Sequence, residues 1–582
     1  MKYYIKTIAS ALFIALLFLG ACFTPISISQ RSTEISRNSF PPVITGQILF
    51  APMYSFTTYL IDYAGVVNHT WESNFFPGEA VLWLGNGTIL RTIKTGEFGL
   101  GGSGGGIQKV LWDGTIAWDF RYDTNGDLSH HDINVLPNGN VLLITWETKT
   151  TEEAINSGRD PSTIVGETLM PSHIIEVHQT GQNTGDIVWE WYAWDHLIQD
   201  YDPSKENYGD VAQHPELIDI NYGGELVKSD WLHTNSIDYN EDFDQILLSV
   251  RNFNEIWIID HSTTKQEAAG HTGGNSGKGG DLLYRWGNPE AYQTGNKSDQ
   301  KLFSQHDASW IKTQCPGVGD ILIFNNGVAR PDGSYSSVDE IAPPVDAQGH
   351  YFIEHGSAYG PEDLQWSYKG SPPSSFYSYG ISGADRLKDG NTLICNGVEG
   401  KFFEVTPDGT TVWEYENPYP IPLSNQVFKI VYIPPVEPSE DEPNLECNGS
   451  LSWSSIKPGQ IVQGTFQVQN IGESGSLLNW EINKSSISWG SWLFTPESGE
   501  NLTPEEGFIT VQVSITVPDQ DNTEFTAYLR IDNKDNPQDF DIIPVNIITQ
   551  KNTDLSLRFL ILQLLSERFP LAYLFLKHIL LD

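Results

Sequence analysis

The chain has 582 residues, too many for one ordinary hydrophobic core, so two or more domains are expected. Its net charge of −41 excludes nucleic acid as a partner, because phosphate binding needs basic patches. A hydrophobic content of 39% with 12% aromatics is that of a folded protein, and the acidic balance suits an extracellular or salty setting.

In chain order, residues 1–30 have the form of an export signal. Lys2 and Lys6 supply a positive start, and Ile8 to Leu19 is an apolar run too short to span a bilayer comfortably. Leu19-Gly20-Ala21-Cys22 matches a lipoprotein cleavage box with Cys22 as the lipidated residue; the alternative is ordinary signal cleavage beside an incidental cysteine. Either route places the mature chain outside the cytoplasm.

Residues 42–434 carry a repeat whose marker is an aromatic pair spaced by one residue. Its copies are His69-Thr-Trp71, Trp118-Asp-Phe120, Trp189-Glu-Trp191, Tyr284-Arg-Trp286, Trp366-Ser-Tyr368 and Trp413-Glu-Tyr415. Hydrophobic strands lead into them, among them Tyr59 to Asp62, Ile174 to Val177, Ile256 to Asp260 and Phe402 to Val405. Hairpins follow, turning at Gly85-Asn-Gly-Thr88, Pro137-Asn-Gly-Asn140, Tyr239-Asn-Glu-Asp242 and Lys388-Asp-Gly-Asn391; Asn-Gly and Asp-Gly supply the positive φ angles that tight hairpins need. Six copies, 47 to 95 residues apart, predict an all-β, six-bladed β-propeller with variable loops. Gly46 to Phe50 is placed to pair with Val427 to Ile433 and close the ring.

Residues 435–446 form a proline- and acid-rich linker. Residues 447–550 change to longer alternating strands and predict an immunoglobulin-like β-sandwich, read as an accessory module. The tail, 551–582, is rich in leucine and phenylalanine, with Arg558, Glu567, Arg568, Lys577 and His578 interspersed and Pro570 dividing it. Those charges argue against a spanning helix. They leave docking on the protein itself, lying on a membrane surface, or sorting as the alternatives.

Four cysteines, Cys22, Cys315, Cys395 and Cys447, make neither a disulfide framework nor a zinc spacing, with Cys315–Cys395 the one bridge to consider. Asp123-Thr-Asn-Gly-Asp127 imitates a calcium loop but lacks its later glycine and glutamate, so it reads as a turn. Gly273-Gly-Asn-Ser-Gly-Lys278 lacks P-loop spacing. Six Asn-x-Ser/Thr sequons begin at Asn68, Asn86, Asn296, Asn448, Asn483 and Asn501, and matter only if the host glycosylates exported proteins.

Registered on their turns, His131, His233 and His306 each lie seven residues before the same turn position, where the first repeat has Glu79 and the fifth has Ser382. Equivalent inner-strand positions of a propeller converge at one mouth. Counting along the return strand puts Arg251 opposite His233, with Trp146, Asn325 and Asn396 at the equivalent places, and period-2 alternation puts Asn235 on the face of His233. An arginine among imidazoles suits a tetrahedral oxyanion such as sulfate or phosphate. A neutral imidazole can attack sulfur or phosphorus. Three histidines could instead bind a metal, but Arg251 beside them counts against a cation, and no metal or cofactor is assigned. Histidines that merely hydrogen-bond between blades remain the plain alternative.

Four segments resemble the bacterial-type arylsulfotransferases, which need no nucleotide donor. His130-His-Asp-Ile-Asn-Val-Leu-Pro-Asn-Gly-Asn140 is similar to the family's first active-site histidine segment, and Asp230 to Tyr239 with Ser249-Val-Arg-Asn252 to its His-x-Asn and downstream arginine. Gln305-His-Asp-Ala-Ser-Trp310 is similar to the segment of the nucleophilic histidine, and Gly383 to Leu393 to the fifth-blade hairpin. The resemblance spans about residues 45–420. It implies ping-pong transfer from an aryl sulfate to a phenol, with His306 forming sulfohistidine. His233, Arg251, His131 and Asn235 would hold the sulfuryl oxygens, and Ser382 would join the substrate contacts. The family's periplasmic members carry a sandwich ahead of the propeller, whereas here it follows. A hydrolase using the same residues and a non-catalytic binding propeller remain alternatives, since fold alone does not decide function.

Overall fold

The computed structural model describes residues 46–550 except 97–100, 124–126, 224–228, 436–442, 485–486 and 537, together with Gln563. The export signal with Cys22, most of the linker, the middle of the Asp123–Asp127 turn and the tail apart from Gln563 lie outside the described residues.

The described chain is all-β. Six four-stranded antiparallel sheets follow one another from Gln47 to Ile433. Sheet one is ordered Val427–Ile433, Gln47–Pro52, Thr57–Asp62, Val67–Glu72, and sheet two Pro77–Trp83, Ile89–Lys94, Gly105–Val110, Ile116–Arg121. Sheet three is Leu128–Val135, Val141–Trp146, Ser172–Gln179, Gly185–Tyr192, and sheet four Thr234–Asn240, Gln245–Val250, Glu255–Asp260, Tyr284–Trp286. Sheet five is His306–Trp310, Ile321–Asn325, Ser337–Ile341, Trp366–Lys369, and sheet six Ser382–Arg386, Thr392–Asn396, Lys401–Val405, Thr411–Glu416.

Burial explains the strand compositions. Second strands such as Val141-Leu-Leu-Ile-Thr-Trp146 are buried at every position, because both faces are covered. Fourth strands such as Gly185–Tyr192 alternate, because one face meets solvent. The core clusters straddle neighbouring sheets: Trp118, Ile133, Leu143, Ile175 and Phe428 share one cluster although they come from sheets one, two and three. The first strands touch in a cycle that runs from sheet two through three, four, five, six and one and back to two. Sheet one is built from both ends of this region, with Gln47 opposite Ile433 and Phe50 opposite Ile430.

The aromatic pairs occupy the six fourth strands, and one tryptophan of each reaches into the next sheet. Trp71 Nε1 donates to Leu111 O (3.1 Å), Trp118 Nε1 to Thr184 O (3.1 Å) and Trp189 Nε1 to Thr263 Oγ1 (3.1 Å). Trp286 Nε1 donates to Pro361 O (2.8 Å), Trp366 Nε1 to Pro407 O (2.8 Å) and Trp413 Nε1 to Tyr63 O (2.7 Å). Each acceptor lies just beyond the third strand of the following sheet, or in its link to the fourth, so six indoles lash the sheets in a closed cycle.

Beyond the linker, two sheets share one core. Leu445–Asn448, Ile461–Asn470, Ile509–Thr516 and Ser491–Thr495 form one. Leu451–Ile456, Phe540–Thr549, Glu524–Asn533, Leu478–Asn483 and Ser498–Leu502 form the other. Trp480, Phe466, Val513 and Leu529 fill the space between. Cys315, Cys395 and Cys447 are all free thiols, so the Cys315–Cys395 bridge considered from sequence does not form.

The clasp is testable at Trp118, which is fully buried. Trp118→Ala should cost about 3–5 kcal/mol through lost packing. Trp118→Phe keeps a ring and removes only the indole N–H, since the Thr184 carbonyl still accepts the Thr180 N–H (3.2 Å), and should cost about 1 kcal/mol. Urea unfolding followed by tryptophan fluorescence measures both; a Phe variant within about 0.5 kcal/mol of the parent would remove the hydrogen bond from the account.

Candidate active site

The three histidines sit where first strands break their regular pairing, and Arg251 opens the short turn Arg251–Phe253 that follows the second strand of sheet four. In sheet three the ladder slips between Ser129 and Ile133, and His131 adopts φ +53° inside the slip. In sheet four His233 precedes the strand at φ +49°, and the ladder slips between Thr234 and Ser236. In sheet five the slip lies between His306 and Ser309, with Asp307 at φ +48°. A bulge re-aims the side chain it carries, and a non-glycine residue in the left-handed region costs on the order of 1–3 kcal/mol.

The slips also set which residues meet. The Arg251 N–H donates to the His233 carbonyl (3.3 Å), so these two do lie across one hairpin. Trp146 pairs with Leu128 rather than His131, and Phe324 rather than Asn325 faces His306, because each bulge displaces the count made from the turn. Asn235 lies within the slip, is fully buried and donates from Nδ2 to Gln305 O (2.8 Å) in the link to sheet five, while its Oδ1 has no hydrogen bond among the described residues.

His131 and His233 meet edge to face with ring centroids 4.7 Å apart. Phe428 touches both other sides of the cluster, 6.0 Å from the His131 ring and 6.2 Å from that of His306. Gly102 lies against His131 at φ +79°, accepting the His131 N–H; an added Cβ would stand 1.9 Å from the ring, so no side chain fits there.

Each imidazole has its orientation fixed from behind. His306 Nδ1 faces Asn326 Oδ1 (2.7 Å) and Ser304 O (3.2 Å). Both are acceptors, since Asn326 spends its Nδ2 on Ser378 O (2.7 Å) and Ser382 Oγ (3.0 Å). The hydrogen therefore sits on Nδ1, and Nε2 presents its lone pair with no hydrogen bond among the described residues. Ser382, expected from sequence at the substrate, is fully buried and stands behind Asn326 instead. His233 Nδ1 is bound to the Asp230 carboxylate, which also accepts from Trp146 Nε1 (3.0 Å). His131 Nδ1 meets His130 Nδ1 at 2.8 Å, and His130 stacks on Trp146 with centroids 3.9 Å apart.

Burial governs the charges. It drives His130 and His306 down to about 3, the Arg251 guanidinium adding to the effect at His306. His131 is pushed well below its ordinary value by burial, then by His233 and His130. Burial alone would raise Asp230, but His233 holds it below the usual carboxylate range. Arg251 is lowered by burial and forms no ion pair among the described residues; its one side-chain hydrogen bond there is Nη1 to Asn252 Oδ1 (3.1 Å). An unpaired guanidinium near the uncharged imidazoles of His131 and His306 is a receptor for an anion with several oxygens.

A layer that sequence reasoning missed lies beside these residues. Lys429 bridges Asp132 (2.8 Å) and Asp307 (3.4 Å). Asp132 accepts the Ile237 N–H (3.3 Å), Ser236 Oγ the Ala308 N–H (3.0 Å) and Asp307 the Ala384 N–H (3.0 Å), so each ties its sheet to the next. Burial raises Asp307 to about 6 against the pull of Lys429, and the two carboxylates keep Lys429 high despite its burial. The signal was present: an aspartate follows both His131 and His306. Glu79, at the matching place in sheet two, is raised to about 7 by burial, with Oε2 unbonded among the described residues.

Structural likeness to solved proteins is weak. A protein of unknown function from Bacteroides caccae is 12% identical, covering 68% of this chain and 99% of its own, at a TM-score of 0.38. The periplasmic gluconolactonase PpgL of Pseudomonas aeruginosa is 11% identical (67% and 99% covered, TM-score 0.34), and virginiamycin B lyase of Staphylococcus aureus 10% (64% and 84%, TM-score 0.30). No curated protein sequence matches. The family model for arylsulfotransferase (ASST), in contrast, matches residues 50–418, well over half the chain and all four histidine- and arginine-bearing segments. The chain belongs to the arylsulfotransferase (ASST) family.

Proposed function

We propose that the protein is an exported aryl-sulfate sulfotransferase whose six sheets are the blades of a β-propeller and whose nucleophile is His306. Family membership supports aryl sulfotransfer with small-molecule aryl sulfates and phenols as substrates. The cycle of first strands and of indole clasps supports the propeller. The observation that carries the mechanism is the Asn326–His306 hydrogen bond, which fixes the hydrogen on Nδ1 and frees Nε2.

In this reading Arg251, His131 and Asn235 receive the sulfuryl oxygens of an aryl sulfate. His306 Nε2 attacks sulfur; the N–S bond forms as the S–O bond to the phenol breaks. Positive charge arising on the ring is met through Nδ1–H by Asn326 Oδ1 and Ser304 O. The departing phenolate takes a proton from His233, whose imidazolium Asp230 stabilises. A second phenol then returns a proton to His233 and attacks the sulfohistidine, regenerating His306. No cofactor enters. Residues 1–30 direct export, the mature protein is secreted or, through a lipid on Cys22 or the tail 551–582, attached at the cell surface, and residues 447–550 act as an immunoglobulin-like accessory module.

With p-nitrophenyl sulfate as donor and phenol as acceptor, His306→Ala should lower turnover about a thousandfold or more and abolish the sulfated intermediate seen by intact mass. Asn326→Ala leaves the nucleophile but frees its ring, and should lower kcat by roughly 10- to 100-fold. Full activity in His306→Ala would refute the assignment, and phenol-independent release would make the enzyme a hydrolase.

The depressed value of His306 sets a pH dependence. A group whose pKa is lowered keeps its neutral, attacking form as pH falls. At about 3 it stays neutral at pH 5, where an imidazole titrating at about 6.5 would have lost roughly 30-fold of that form. Burst-phase nitrophenol release, measured from pH 8 to 5, should show no such loss; a 30-fold fall with a midpoint near 6.5 would contradict it.

A further inference from the structure

Apart from the residues assigned to catalysis, His196 and His271 place one ring nitrogen each, and Asp281 one carboxylate oxygen, within 4.8 Å of one another. His196 ends the short turn Ala193–His196 that leaves the fourth strand of sheet three. His271 and Asp281 flank the glycine-rich excursion between the third and fourth strands of sheet four. We propose that these three residues bind a divalent transition-metal ion, zinc being the best chemical match, which pins that excursion to sheet three.

The hydrogen-bond pattern argues for the ion. His196 is fully buried, and both of its nitrogens face acceptors: Nε2 meets the Ala268 carbonyl at 2.9 Å and Nδ1 meets Asp281 Oδ1 at 2.8 Å. The carbonyl fixes a hydrogen on Nε2, which turns the Nδ1 lone pair toward the carboxylate. That same Oδ1 also lies 2.7 Å from His271 Nδ1. Without a cation, one carboxylate oxygen must serve two imidazole nitrogens at once. With a cation, two lone pairs and one carboxylate oxygen converge on it. A ring nitrogen bonded to a backbone carbonyl, with the other aimed at the ion, is the usual support of a metal-binding histidine.

The donor set names the ion class. Two imidazoles and one carboxylate suit zinc and its neighbours, whereas calcium and magnesium take oxygen ligands. Zinc bonds of about 2.0–2.1 Å set tetrahedral ligand atoms roughly 3.3 Å apart, so the ligands must part by about half an ångström. Asp281 must swing away from His196, and His271 follows it freely, because its side chain is 59% exposed. His196 cannot move: the parallel Trp191 ring lies 5.6 Å away, and a Cβ on Gly280 would fall 2.6 Å from its Nε2. Trp191 Nε1 in turn donates to Gly280 O (2.7 Å), so the excursion already rests against the buried ligand.

The test uses the purified full chain, stripped with a chelator and titrated calorimetrically with zinc chloride alone. One equivalent should bind with micromolar or tighter affinity, and zinc should raise the thermal unfolding midpoint. His271→Ala removes an exposed side chain, so the fold is retained. It should weaken that equivalent at least tenfold and cancel the midpoint shift. His350→Ala, at another exposed histidine, should do neither. Cobalt substituted for zinc should show the intense visible bands of a tetrahedral site in the parent and not in His271→Ala. Absence of a tight equivalent in the parent, or identical titrations for the parent and His271→Ala, would overturn the proposal.

Discussion

Six buried or half-buried indole N–H groups, each spent on an acceptor in the neighbouring sheet, are the constraint from which the rest of this architecture follows. A four-stranded sheet has two open edges and two faces to cover, and in each of these six the second strand is buried on both. Packing face against face covers the apolar surface but does not set the angle between sheets. A directional hydrogen bond at the outer strand does, and the same bond repeated around the cycle fixes one relative orientation six times. The inner strands are joined by a second tier, in which Asp132, Ser236 and Asp307 accept backbone N–H groups of the following sheet. Held at rim and centre, the first strands can tolerate bulges that would otherwise loosen them.

Those bulges are where the chemistry sits. His131 and His233 take left-handed backbone angles that ordinary side chains avoid, and His306 adjoins a third such residue. Burial holds the imidazoles of His130, His131 and His306 uncharged, leaving Arg251 as the group that draws an anion inward. The supporting residues divide the labour: Asn326 orients one ring by an amide dipole, Asp230 another by a full charge. An amide keeps a nucleophile neutral, and a carboxylate makes its partner a better proton carrier.

Much of this was legible in the residues. Spacing of one within each aromatic pair marks the fourth strands, because only a β-strand returns alternate side chains to one face. Seven residues before a turn marks His131, His233 and His306, because hairpin strands are of similar length. What counting cannot see is an inserted residue. Each bulge shifts the partner by one or two, which is why Trp146 and Asn325 do not stand where Arg251 stands, and why Asn326 had no signal of its own. Ser382 followed the register but not the role, since whether a polar side chain faces ligand or a neighbour's amide is decided by residues far away in the chain. His196, His271 and Asp281 come from two sheets and a long excursion, and no local spacing links them.

Sheet one has a history that the other five do not. Its inner strand, Val427–Ile433, is the last of the ring to be made, and the strand it joins, Gln47–Pro52, is the first. Five sheets can therefore assemble in order of synthesis while the sixth waits, its N-terminal three strands exposing an unpaired edge until Ile433 is available. The entropic cost of that late closure grows only as the logarithm of the intervening length, so the delay is one of timing rather than of stability. The closing strand thus acts as a completion signal: sheet one gains its fourth strand only after the other five sheets have been made.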